Sequence, residues 1–183
     1  DGKVLMKELN LKPGPGISIM VNKMKRPGAE TNVEMTQIVL PSHTNNHGTV
    51  FGGQMAAWID ICAAVSAQRF ARKSVVTASI DEIHFVTPVR RGMVVILKAR
   101  VNQAWSTSME VGVRVEAEDP RTGDTVHCCT AYATFVAIND DGRPSAVPAL
   151  DTGDDDAAID RARDAQARRD HRLVMRKKRR LGG

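Results

Sequence analysis

Apolar residues fill nearly every position between Gly53 and Arg69: Met55, Ala56, Ala57, Trp58, Ile59, Ile61, Cys62, Ala63, Ala64, Val65 and Ala67 leave no polar stripe. A run of this kind predicts a helix enclosed on all sides, because a surface helix keeps one polar face. After the helix the period changes. Ser74 to Phe85, Val94 to Val101, Ser108 to Ala117 and Thr125 to Ile138 read as strands. The third alternates cleanly, with Met109, Val111, Val113, Val115 and Ala117 on one face and Glu110, Gly112, Arg114 and Glu116 on the other. The turn-rich segment Asp119 to Asp124 joins the last two runs as a hairpin. With a further strand at about Met35 to Leu40, the order is strand, long helix, four strands. It predicts an α+β domain in which an antiparallel sheet covers a buried helix.

One charge interrupts the apolar helix, and it is Asp60. A buried ionised carboxylate is costly, so this one must be hydrogen-bonded, pair with a cation, reach a wet cleft or keep its proton. Gly52 and Gly53 fit the helix start, where first-turn N–H groups lack intrahelical partners and the helix dipole favours negative charge. Such an end can receive an oxyanion. A general base or nucleophile beside a cleft is one role for Asp60; tying down a loop is the other.

Length and charge narrow the setting. At 183 residues the chain has room for one ordinary domain with tails. Residues 1–32 carry Pro13-Gly14-Pro15-Gly16 and Pro27-Gly28 and read as a poorly determined leader, with a short strand at Ile17 to Val21. Residues 33–140 form the domain, and 141–183 a charged, partly helical tail. The net charge of +5 belongs to that tail, because His171 to Gly183 holds six basic residues and no acid, leaving −1 for everything before it. Asp160/Arg163 and Asp164/Arg168 stand at helical pair spacing, which predicts a solvated helix. Nucleic acid is therefore not an expected partner of the domain. The longest charge-free window, Thr36 to Ile59, contains Pro41, Gly48, Gly52 and Gly53, so no membrane span is expected. Three cysteines without a CxxC pair suggest neither a disulfide framework nor a zinc ribbon, and point to a reducing cytoplasm.

The run Asn45-x-x-Gly48-x-x-x-Gly52-Gly53, with Asp60 seven positions on, resembles the hotdog-fold acyl-CoA thioesterases, the acyl-CoA hydrolase family. Four more blocks match in order: Val76 to Phe85, Pro88-Val89-x-x-Gly92, Ser106 to Val111, and Ala133 to Ala137. The resemblance covers about Glu34 to Ile138. It implies a hotdog fold, a sheet of five to six strands wrapped around one long helix. It also implies side-by-side pairing as a homodimer, often as a trimer of dimers, and hydrolysis of fatty acyl-CoA to free acid and CoA.

Asn45 and Asp60 are the catalytic positions the resemblance implies. A thioester carbon is already electrophilic, so a positioned water or attacking carboxylate and donors for the carbonyl oxygen suffice. Neither metal nor organic cofactor is expected; coenzyme A is part of substrate and product. A helix rise of 1.5 Å per residue puts Asp60 about 10 Å from Gly53, awkward for a single thioester. A site shared between subunits is therefore expected, with Asp60 of one facing the Asn45 loop of the other. Arg90 and Arg91, before Gly92, and Ser106, Thr107 and Ser108 are candidates to meet the CoA phosphates, since the arginine fork donates two bonds at once. Thr77 and Ser79 are candidates to line the cleft, and Met55, Trp58 and Phe85 to carry the acyl chain.

Other chemistries leave little trace. There is no GxSxG elbow and no HExxH, Gly14-Pro15-Gly16 lacks the rest of a dinucleotide fingerprint, and mid-helix Cys62 sits in apolar company. His43, His47, His84 and His127 read as turn or strand residues. Two alternatives stand beside the thioesterase: a hotdog acyl-CoA sensor without turnover, and another hotdog enzyme such as a hydratase.

Overall fold

A computed structural model describes residues 25–181 of the chain. The strand expected at Ile17 to Val21 lies outside them. Strands β1 (Lys25–Pro27) and β2 (Val33–Ile38) are separated by a 3-10 turn at Gly28–Thr31. Then come helix α1 (Gly52–Ala71), strands β3 (Ser74–Ile80), β4 (Val94–Ala104), β5 (Ser108–Glu118), β6 (Thr125–Ile138) and β7 (Ala149–Asp151), and helix α2 (Asp156–Leu181). The main sheet is antiparallel in the order β2-β4-β5-β6-β3. Strands β1 and β7 pair in parallel as a separate ribbon.

The sheet curls around α1. Val95, Leu97, Ala99 and Val101 of β4, Met109 through Ala117 of β5 at alternate positions, and Cys129, Ala131, Ala133, Phe135 and Ala137 of β6 are buried against it. Large aliphatic side chains enclosed in this way contribute about 1.5–3 kcal/mol each to the hydrophobic term. The helix stops because Arg72 adopts a left-handed conformation (φ 52°) with its N–H on the Gln68 carbonyl, and the chain leaves as β3.

Three expectations need correction. Helix α1 is not enclosed all round: Gly53, Ala57, Ile61 and Gln68 form an exposed stripe at helical spacing. The first strand after it ends at Ile80 rather than Phe85. Asp81 and Val86 still donate N–H bonds to Tyr132 and Cys128, but the segment between them peels away from β6. Nor is α2 simply solvated. Ala165 is fully buried, Trp105 donates its indole N–H to Gln166 (2.8 Å), and Arg168 turns to Glu110 instead of pairing with Asp164. The Asp160–Arg163 pair does form, at 3.0 Å. No helix among the described residues is long and apolar enough to cross a membrane.

Candidate active site

The start of α1 has no side-chain cap. Phe51 occupies the capping position in extended conformation; its carbonyl receives the N–H groups of Gln54 and Met55, leaving those of Gly52 and Gly53 without partners inside the helix. A Cβ at residue 53 would run into the Phe51 ring, so glycine lets that ring lie over the helix start. The result is a bare, positively polarised helix end.

Ahead of it, residues 44–50 fold into a tight loop closed by a Thr44–Val50 bridge, with Gly48 at positive φ (73°). Asn45 organises this loop. Its Oδ1 accepts the N–H of His47 (2.9 Å) and of Thr49 (3.3 Å), and its Nδ2 donates to the Thr49 hydroxyl (3.0 Å). One amide hydrogen is left over for a water or a carbonyl.

A cavity of about 270 Å3 opens beside the helix start, lined by Thr49, Gly52, Met55, Phe85, Val89 and Cys128 among others. Met55 and Phe85, two of the three acyl-chain candidates, sit in it. Trp58, the third, is buried with its ring edge-on to His43 at 5.0 Å between centroids.

Asp60 is half-buried on the flank of the exposed stripe, and Thr77 of β3 donates its hydroxyl to Asp60 Oδ1 at 2.8 Å. The other carboxylate oxygen has no protein partner among the described residues. Immediately after Thr77 the β3–β6 register slips by one, so that Ala78 bulges and Ser79 faces Thr134. A bulge of this kind re-aims neighbouring side chains.

The fold joins some of the sequence candidates and separates others. Arg90 and Arg91 lie against the Asn45 loop through the Thr49–Arg90 bridge and the Arg91 N–H on the Gly48 carbonyl (3.1 Å), and both are exposed. Ser106, Thr107 and Ser108 form the turn at the far end of β4, about 33 Å of strand away at 3.3 Å per residue. Within one chain they cannot share a ligand end with Arg90 and Arg91. No hydrogen bond links Asn45 to Asp60 among the described residues either; the carboxylate lies two turns further along α1.

Sequence reasoning missed Glu110. It belongs to the polar face of β5, yet is fully buried, with Arg168 on Oε1 (2.7 Å) and Arg172 on Oε2 (3.1 Å). Arg172 also bonds Asp81 in the segment after β3, and Arg168 stacks over Tyr132. The available signal was the excess of arginine in α2 over its acids. Cys62, read as packing, is buried, and burial pushes its thiol up to about 11.

Residues 47–123 match the thioesterase superfamily. The chain is 36% identical to the uncharacterized acyl-CoA thioester hydrolase YkhA of Bacillus subtilis, over 80% of this chain and 88% of that one. It is 48% identical to mouse acyl-coenzyme A thioesterase 11 over 58% of its own length, but spans only 18% of that protein. Among solved structures, the Staphylococcus aureus acyl-CoA hydrolase with butyryl coenzyme A, coenzyme A and coenzyme A disulfide superposes with a TM-score of 0.79 at 32% identity, covering 86% of this chain and 96% of that one. Alanine variants of that hydrolase replace an asparagine, an aspartate and a threonine, 15 and 17 residues apart in sequence. An apo-hexameric acyl-CoA thioesterase matches with a TM-score of 0.79 at 34% identity over 83% of this chain and 97% of that one.

Proposed function

This chain belongs to the hotdog-fold acyl-CoA thioesterases of the thioesterase superfamily, and on that footing we propose that it hydrolyses fatty acyl-CoA to free fatty acid and coenzyme A. The observation that carries the reading is the Asp60 carboxylate, held on one oxygen by Thr77 and open on the other, on an otherwise apolar helix flank. Asn45, Asp60 and Thr77 are also 15 and 17 residues apart, the spacing of the three residues substituted in the S. aureus hydrolase.

Asp60 acts as general base or as nucleophile. As a base, its free oxygen takes a proton from water while the hydroxide attacks the thioester carbon. The negative charge that forms on the carbonyl oxygen is met by the unpartnered N–H groups at Gly52 and Gly53 and by the spare hydrogen of the Asn45 amide. When the tetrahedral centre collapses, the carbon–sulfur bond breaks and the thiolate of CoA recovers the proton from Asp60. The acyl chain enters the cavity along Met55 and Phe85, while Arg90 and Arg91 at the rim receive phosphate of the CoA moiety. Ser79 and the turn Ser106 to Ser108 contribute from the β3 side.

Two copies are needed to complete this site. The exposed stripe of α1 runs beside Val76 and Ile80, which are 45% and 37% exposed, and β3 is an edge strand open on both faces. A second copy related by a twofold axis covers both and brings its Asn45 loop and helix start to the Asp60 of the first. The homodimer is the working unit, and a trimer of dimers its assembled form. The three free thiols suit a cytoplasmic location.

The test is thiol release from palmitoyl-CoA by wild type, Asp60→Ala and Asn45→Ala, together with native mass. Loss of about 10²–10⁴-fold in each variant, with the oligomer retained, is expected. Wild-type turnover in either variant removes that residue from the mechanism, and tight binding without CoA release turns the protein into a sensor.

A further inference from the structure

Four charges fasten helix α2 to the face of the sheet turned away from α1. The buried Glu110 carboxylate takes Arg168 on Oε1 and Arg172 on Oε2, which leaves one positive charge in excess. Asp81 supplies the balancing carboxylate, its Oδ2 accepting the Arg172 Nη1 at 2.6 Å. The two side chains of that bond are only 24% and 22% exposed, so water screens it in part.

Asp81 opens the stretch that leaves β3. From the Asp81 N–H on Tyr132 to the Val86 N–H on Cys128 this stretch takes five residue steps, whereas β6 takes four. No backbone hydrogen bond joins the two between those points, so the extra residue is slack and the stretch bows from β6. Ile83 packs inward against the core, and Glu82 meets only His84, at 3.3 Å and in solvent. Among the described residues, Arg172 is the one side chain from elsewhere in the fold that hydrogen-bonds residues 81–86. At the other end of the bow stands Phe85, half-exposed, a wall of the cavity beside the helix start. It lies close enough to Gly52 that a Cβ there would touch its ring, at 3.8 Å.

We infer that Arg172 is a positioning residue for this cavity: by holding Asp81 it takes up the slack at the β3 end and sets how far Phe85 reaches over the opening. The inference rests on the reading of the cavity as the acyl site. It adds a determinant of acyl-chain length supplied by a helix that lines no part of that cavity. With the tether cut, the bowed stretch regains its freedom and the Phe85 ring no longer has one place to stand. An acyl chain long enough to lie along Phe85 loses that wall, while one that stops short of it loses nothing. Asp60 keeps its place on α1 and its bond from Thr77, so the loss falls on binding and not on the chemical step.

Steady-state CoA release from palmitoyl-CoA and butyryl-CoA by wild type, Asp81→Ala, Arg172→Gln and the double variant tests this, with amide hydrogen exchange of residues 82–85 followed in each. Asp81→Ala leaves Glu110 both of its arginines, so α2 stays docked and thermal melting stays close to wild type. In each single variant the KM for palmitoyl-CoA is expected to rise about fivefold, with kcat and the KM for butyryl-CoA within about twofold of wild type. The double variant should be no worse than Arg172→Gln alone, because both changes remove the same bond, and exchange of residues 82–85 should quicken in all three. An unchanged palmitoyl-CoA KM in Asp81→Ala overturns the proposal. So does an equal rise for both substrates, which a general loosening of the fold would give, and so do additive losses in the double variant. A wild type that releases CoA from neither substrate removes the hydrolysis reading instead. Exchange alone then decides the tether: quickening in Asp81→Ala retains it, and unchanged exchange removes it.

Discussion

Asp60 and Glu110 are both carboxylates among apolar neighbours, and the fold treats them in opposite ways. Glu110 has no exposure and is satisfied by two arginines from α2. Asp60 has a single hydroxyl bond and stands at the margin of an uncovered face. A carboxylate whose lone pairs are all engaged has nothing to offer a reaction, and its removal strands the cations around it. One with an oxygen in reserve can take a proton, and its removal strands little. Under-satisfaction near an opening therefore marks chemistry, whereas complete satisfaction in the interior marks architecture.

The sharpest break of this contrast is Asp60→Asn. Turnover of palmitoyl-CoA should fall by about 10³-fold while stability to urea stays within about 1 kcal/mol of wild type. A large loss of stability would place Asp60 in the same class as Glu110. Glu110→Ala should show the reverse, losing about 3–5 kcal/mol in urea unfolding because Arg168 and Arg172 are left without their anion. A variant as stable as wild type would mean that α2 is held by its apolar contacts alone. Next in size, Ile61→Lys on the exposed stripe should leave a folded chain that no longer pairs, with activity lost. Sedimentation at micromolar concentration reads the assembly, and a monomeric variant that keeps full activity rejects the shared site. Smallest, Thr77→Val should remove the hydroxyl on Asp60 and lower kcat by about tenfold with little change in KM, as expected for a bond worth about 1–1.5 kcal/mol. An unchanged kcat would show that Asp60 is positioned by its helix alone.

Much of the fold was legible. The helix between Gly53 and Arg69, the clean alternation of β5 and the hairpin turn at Asp119 to Asp124 follow from local period and turn chemistry, and each is found within a few residues. The errors share a cause. Ala57 and Ile61 look like core because apolarity alone does not record whether the rest of the chain covers a residue, and here it does not. Glu110 looks like a solvent-facing residue because its cover arrives 58 residues later, from a helix whose own composition reads as solvated. The strand after α1 is shorter than its sequence pattern because Ile83 and Phe85 keep an apolar rhythm after the backbone has left the ladder. For the candidate site, Asn45, Gly53 and Asp60 could be picked out by residue type and spacing, and the bond from Thr77 to Asp60 could not. It depends on which turn of α1 crosses which rung of β3.

Strand β3 also carries a liability. Ser74 to Ile80 contains no charged residue and no proline, and β6 engages only one of its edges. Natural proteins usually guard such a border with a lysine, a kink or a short span. Here the kink at Ala78 is the guard within the strand, so under the proposed pairing a freshly synthesised copy keeps a lightly guarded template until a second copy covers it, and heat-stressed chains should precipitate through it. Partner encounter would then be a solubility requirement as well as a catalytic one.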